Sequence, residues 1–122
     1  MPFFMSQWTY YDKEVRALLD HPHDRVEIVA RAMKAFGGRL HEFYFAFGDY
    51  DGVAISEFPD SETALSCFMS FSGEGGLQSF KTTVLLTPEE ARRAMDKARQ
   101  VVSNYSRPSG MPVNTKTIDT VP

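Results

Sequence analysis

Apolar positions along this chain change period several times, and each change marks an element. "FFMSQWTY", Phe3–Tyr10, is aromatic and β-prone and reads as a first strand. "DKEVRALLDHPHDRVEIVARAMKAFGG" has helical spacing interrupted at Pro22. Beyond that proline Val26, Val29, Ala30, Met33 and Phe36 share one face, and Gly37 and Gly38 supply a left-handed C-terminal cap. Period two returns from Arg39 to Phe47, with Phe43, Phe45 and Phe47 on one side and Glu42, Tyr44 and Ala46 on the other. The turn "GDYDG" leads into a third strand, Val53 to Phe58, and Pro59 with Asp60 then starts a helix whose stripe is Ala64, Leu65, Phe68 and Met69. After "GEGG", "LQSFKTTVLL" is a fourth strand. "TPEEARRAMDKARQVV" carries Thr87 as cap, Pro88 at the first helical position and Glu90 to close a capping box. Its stripe of Ala91, Ala94, Met95, Ala98, Val101 and Val102 asks for a surface to cover it. Residues 103–122, rich in Pro, Ser and Thr, read as an extended arm beyond a domain of residues 1–102, most simply held against a partner subunit.

The order β-α-β-β-α-β-α predicts an α+β, ferredoxin-like fold: a βαββαβ antiparallel sheet in the order 4-1-3-2, both main helices on one face, plus a C-terminal helix and arm. The phenylalanine face of the second strand is expected under the helices. The other face, mixing Tyr44 with small residues, Ser56 and Lys81, is neither cleanly polar nor fully apolar. Such a face gains from a cover, and for a small protein the simplest is a second copy of itself. Two sheets face to face enclose a barrel able to hold a small ligand, here expected to be lined by Trp8, Tyr44, Ser56 and Lys81. The alternative is an open sheet packed on the C-terminal helix or arm. The assumed topology also gathers Trp8, Tyr10, Tyr11, Asp49, Tyr50, Asp51 and the loop Gly73 to Gly76 at one rim.

Composition narrows this picture. With 122 residues, 43% of them hydrophobic and 10 Phe, the chain suits one domain with a real core. A net charge of −3 with mixed signs carries no basic footprint for nucleic acid or an anionic membrane. A single cysteine, Cys67, excludes an internal disulfide framework and suits a reducing cytoplasm. The opening residues lack a signal-peptide pattern, and no apolar run approaches the roughly 20 residues of a membrane span.

The titratable candidates are few. Asp49 and Asp51 could ligate a metal as a pair, but aspartate in a turn more often bonds its own backbone. Tyr50 at the turn could stack on a ligand or pack against a partner. "DHPHD" has a metal-like look, yet it sits at a helix entrance where polar capping accounts for it, and no three- or four-ligand set is evident, so no metal is expected. His41 is the best acid–base candidate on a strand, with a salt-bridged strand-end histidine as its plainer reading. Lys81 could bind an anion, or deter aggregation on an edge strand. "SGEGG" runs helix, loop, strand, the wrong order for a phosphate cradle. Cys67, among apolar neighbours, reads as an inert core residue.

"GGRLHEFYFAFGDYDGVAISEFPD" resembles the core signature of the GYD-domain family. Gly37, Gly38, Leu40, Phe43, Tyr44, Gly48, Tyr50, Asp51, Pro59 and Asp60 carry the match, and the similarity runs from "WTYYDKEVRALL" to "LLTPEEA". Gly52 departs from the branched apolar residue common after the aspartate. The family resembles the dimeric α/β-barrel superfamily, which includes cofactor-independent oxygenases, isomerases and haem-handling proteins. Two readings follow. One is a barrel protein binding or converting a small apolar or aromatic molecule without metal or nucleotide. Trp8, Tyr44, Tyr50 and Ser56 would contact the ligand, and His41, Lys81 or Asp51 would move a proton. The other is a non-catalytic binding, regulatory or assembly subunit whose aromatic sheet face joins it to further copies of itself.

Overall fold

A computed structural model of the chain describes residues 1–101 and 104–110. The chain divides into two compact units, Met1–Thr87 and Pro88–Pro122. Most of the expected arm, and Val102, lie outside the described residues.

In the first unit the elements are β1 (Phe3–Tyr10), α1 (Asp12–Asp20), α2 (Arg25–Ala35), β2 (Arg39–Phe45), β3 (Gly52–Glu57), α3 (Ser61–Gly73) and β4 (Leu77–Leu85). The strands form one sheet in the order β2-β3-β1-β4, every neighbouring pair antiparallel. This is the order predicted from the sequence, an α+β architecture consistent with a ferredoxin-like fold.

Local chemistry explains the boundaries. Pro22 separates α1 from α2, and the carboxylate of Asp24 caps α2 by accepting from Val26 N at 3.0 Å and Glu27 N at 3.3 Å. Asp60 does the same for α3, accepting from Thr63 N at 2.7 Å, and that backbone hydrogen bond holds its pKa below the usual aspartate range. Gly37, at φ 77°, takes the left-handed turn after α2, where Gly38 N donates to the Met33 carbonyl at 2.9 Å.

The core joins α2 and α3 to the sheet through Phe4, Met33, Phe58, Ala64, Cys67 and Phe68. Its rings meet edge to face: Phe58 and Phe68 at 5.4 Å and 82°, Phe4 and Phe68 at 6.0 Å and 78°. Cys67 is fully buried there, and burial pushes its thiol up to about 11, so it is an uncharged packing group.

Two expectations fail in detail. β2 stops at Phe45, leaving Phe47 fully exposed in the turn instead of under the helices. On α3 the buried line is Ala64, Cys67 and Phe68, while Leu65 and Met69 face outward. Both stripes satisfy helical spacing, and the helix's rotation against the sheet selects between them.

In the second unit α4 (Pro88–Gln100) begins at Pro88 as expected, with Glu89 and Glu90 in its first turn and Lys97 and Arg99 in its last, matching the helix dipole. Glu89 pairs with Arg93 at 3.2 Å and Asp96 with Arg99 at 3.5 Å. None of the residues of α4 is buried. A single 3-10 turn follows at Pro108–Gly110.

Candidate functional site

Residues directly opposite in an antiparallel pair share a face. The register pairs Phe43 with Ala54, Phe4 with Ser56, and Trp8 with both Gly52 and Phe80. This set points toward α2 and α3, where Phe4, Trp8, Ala54 and Ser56 are all buried. Tyr44 pairs with Val53, Glu42 with Ile55, and Gln7 with Lys81, and these occupy the opposite face. The four residues expected around one chamber are therefore divided. Trp8 and Ser56 lie on the helix side, and Tyr44 and Lys81 on the open side. Alternation within each strand was read correctly; the pairing between strands decides which faces coincide.

The rim forms as the topology required, and Asp51 ties it together. Its N–H donates to the Trp8 carbonyl at 2.8 Å, its Oδ2 accepts from Tyr10 N at 2.8 Å, and its carbonyl accepts from Ala46 N at 2.8 Å. Tyr11 N reaches the Gly76 carbonyl at 3.2 Å, bringing the α3–β4 loop to the same end. A Cβ at Gly52 would stand 2.3 Å from the Trp8 ring, so glycine at this position gives the indole its seat. Tyr50 is half-buried in this turn and Asp49 is exposed. The carboxylate of Asp51 thus serves the backbone.

Behind this rim a partly open cavity of about 590 Å³ lies between the sheet and α1, α2 and α3. Trp8, Val29, Met33, Phe71 and Phe80 form apolar walls. Small residues on the sheet, Ser6 and Ala54, together with Ala17 and Ala32 on the helices, leave the space. Ser6 is 2% exposed and its hydroxyl has no hydrogen-bond partner. The Ser56 hydroxyl also lacks one, but Ser56 does not line the cavity. Glu14, His23, Arg25 and Glu74 are the charged or titratable side chains that also line it, beside Tyr10; Glu14 and Arg25 are half-buried, His23 and Glu74 exposed. Sequence reasoning missed Ser6 and Arg25. The available signal was a lone small polar residue alternating with Phe4 and Trp8 on a strand face that otherwise carries large rings.

The acid–base candidates lie elsewhere. His41 occupies an irregularity in the β2–β3 pairing between Leu40 and Glu42. Its Nε2 is 2.9 Å from Glu57 Oε1, and its ring is 5.2 Å from that of Phe3 on the open face. The Tyr44 hydroxyl donates to Glu42 at 3.1 Å, and that hydrogen bond to a carboxylate raises the tyrosine pKa. Lys81 is exposed on the edge strand β4. Nδ1 of His23 lies 2.9 Å from the His21 carbonyl. Among the described residues no three His, Cys, Asp or Glu side chains converge in a way that could hold a metal ion. No described helix is long and apolar enough to cross a membrane.

A solved structure shares this fold. TTHA0845 from Thermus thermophilus superposes with a TM-score of 0.50 at 17% identity, over 71% of this chain and 95% of that one. FFRP-DM1 aligns with a TM-score of 0.43 at 17% identity, covering 70% of this chain and 100% of its own. No curated protein matches the sequence. The sequence pattern of the GYD domain matches residues 4–95, a span that takes in all of the sheet but Phe3, the Asp51 turn and the cavity lining. The chain belongs to the GYD domain family.

Proposed function

We propose that this GYD-family protein binds a small, mainly apolar molecule in the cavity between its helices and its sheet. The supporting observation is the Ser6 hydroxyl: buried, without a partner, and opening on an apolar space of about 590 Å³. A buried hydroxyl left unsatisfied costs roughly 1–3 kcal/mol, which a ligand bringing a donor or acceptor would recover. The volume falls within the usual range of small-molecule sites. None of His41, Lys81 and Asp51 lines this cavity, and the reading offered is one of binding.

Trp8 is the single tryptophan and stands in the cavity wall, so its emission reports occupancy directly. A panel of small apolar alcohols, acids and amines should include members that shift Trp8 emission. Ala32→Phe, which fills the space, should abolish the shift in a protein that remains folded. Ser56→Ala should leave binding intact, and Ser6→Ala should weaken it. A panel with no effect on emission, combined with a gain in melting temperature for Ala32→Phe, would mark the space as a packing void and end this reading.

A second reading concerns the open face, and a distinct observation favours it. Phe3, Met5, Val53 and Ile55 are only half-buried there, beside Tyr44 at 60% exposure. Glu42 sits on one edge strand and Lys81 on the other. A two-fold axis parallel to the strands would lay each edge of one copy over the opposite edge of the other, pairing unlike charges. We read this face as the seat of a second copy of the chain. Tyr44→Ala should lower the light-scattering mass of the purified protein toward one chain while ligand-induced Trp8 emission changes persist. A wild-type protein that scatters as one chain at every concentration would refute it.

A further inference from the structure

The lining of the cavity is divided by charge. His23 lies in the connection into α2 and Arg25 opens that helix, whereas Glu74 caps the end of α3 and Glu14 rests against Gly76, just before β4. On the basic side Nη1 of Arg25 donates a hydrogen bond to Nε2 of His23 at 3.4 Å. Among the described residues no carboxylate comes within ion-pair distance of this half-buried guanidinium. The adjacent Asp24 is engaged in capping α2. The contact with His23 occupies one of the five N–H donors, and a guanidinium partly withdrawn from water leaves the others open to an anion. The partnerless Ser6 hydroxyl lines the same cavity.

We infer that the ligand is an apolar ring or short chain ending in a carboxylate, its anionic end on Arg25 and its apolar body between Trp8, Val29, Met33 and Phe80. This rests on the cavity reading above and adds the charge of the ligand to it. The planar fork of arginine suits a carboxylate in two parallel hydrogen bonds, which a neutral or cationic head cannot make. Glu14 and Glu74, on the other side, would favour an amine if they governed the site, so the sign of the preferred ligand separates the two outcomes.

The test titrates octanoate, octanol and octylamine into the full-length protein, following Trp8 emission. Octanoate should bind about tenfold more tightly than octanol, in keeping with the gain from a charge-assisted hydrogen bond, and octylamine should bind most weakly. Arg25→Gln should remove the preference for octanoate and leave the octanol affinity unchanged. Arg25→Lys should restore part of the preference. Tighter binding of octylamine, or an equal loss for all three probes in Arg25→Gln, would overturn the assignment while leaving the cavity reading intact. Binding of none of the three would sink the cavity reading, and this inference with it.

Discussion

The two ends of the helix-covered face behave differently although they belong to the same sheet. At one end Phe4, on β1, and Phe58, just past β3, meet Ala64, Cys67 and Phe68 in a buried cluster, with an open groove along the outer side of Phe4, Ala64 and Phe68. At the other, Ser6, Gly52 and Ala54 on the sheet face Ala17 and Ala32 on the helices, and only Trp8, lying over Gly52, fills part of the gap. Small residues facing small ones leave the deeper hollow beside Ser6, whereas interlocking rings bury Phe58 completely. The same layer thus supplies stability at one end and room for a ligand at the other.

Phe58→Ala should break this contrast most severely. It removes a ring with no solvent exposure from two edge-to-face contacts, with Phe4 and Phe68, and should cost roughly 3–5 kcal/mol in urea unfolding. Gly52→Val should come next, at about 1–3 kcal/mol, because its first side-chain atom would stand 2.3 Å from the indole. That cost should shrink when Trp8 is replaced by Leu, and a double-mutant cycle showing simple additivity would disprove the steric account. Ser6→Ala should carry the opposite sign: removing a partnerless buried hydroxyl should stabilise the ligand-free protein by up to about 1 kcal/mol. The smallest effect belongs to Asp60. Its pKa is lowered in the folded state, so its contribution is present above the unfolded pKa and fades as pH falls through the folded one. Wild type should therefore lose more stability than Asp60→Ala on acidification below the ordinary aspartate range, measured by thermal melts.

Loss of the Phe58 ring and loss of the Ser6 hydroxyl make the sharpest pair. Both remove buried atoms from the same face, and opposite signs of stability change are expected. Equal destabilisation would mean that the cavity end is as tightly packed as the core, contrary to its volume.

Much of this was legible in the residues themselves. Pro22 and Asp24 dictate where α1 gives way to α2, Gly37 ends α2, and Asp60 starts α3, because each acts through its own backbone or a neighbour within three residues. Strand order followed from the alternation of elements and the rarity of other connections. The GYD turn could be placed at the rim, though the role of Asp51 as acceptor for Tyr10 N, 41 residues away, depended on contact across the sheet. The departure at Gly52 was visible as a residue; its cause, the Trp8 ring, was not.

Periods of 3.6 and 2 are written in the chain, and they determined which elements form and which residues share a face within each one. Tertiary structure decided what they could not: the register that separates Ser56 from Tyr44, the rotation of α3 that buries Cys67 and turns Leu65 outward, and the meeting of small residues that opens a cavity beside Ser6. Local patterns depend on neighbours along the chain, whereas a hollow depends on which side chains arrive opposite one another, and that is set only when the layers pack.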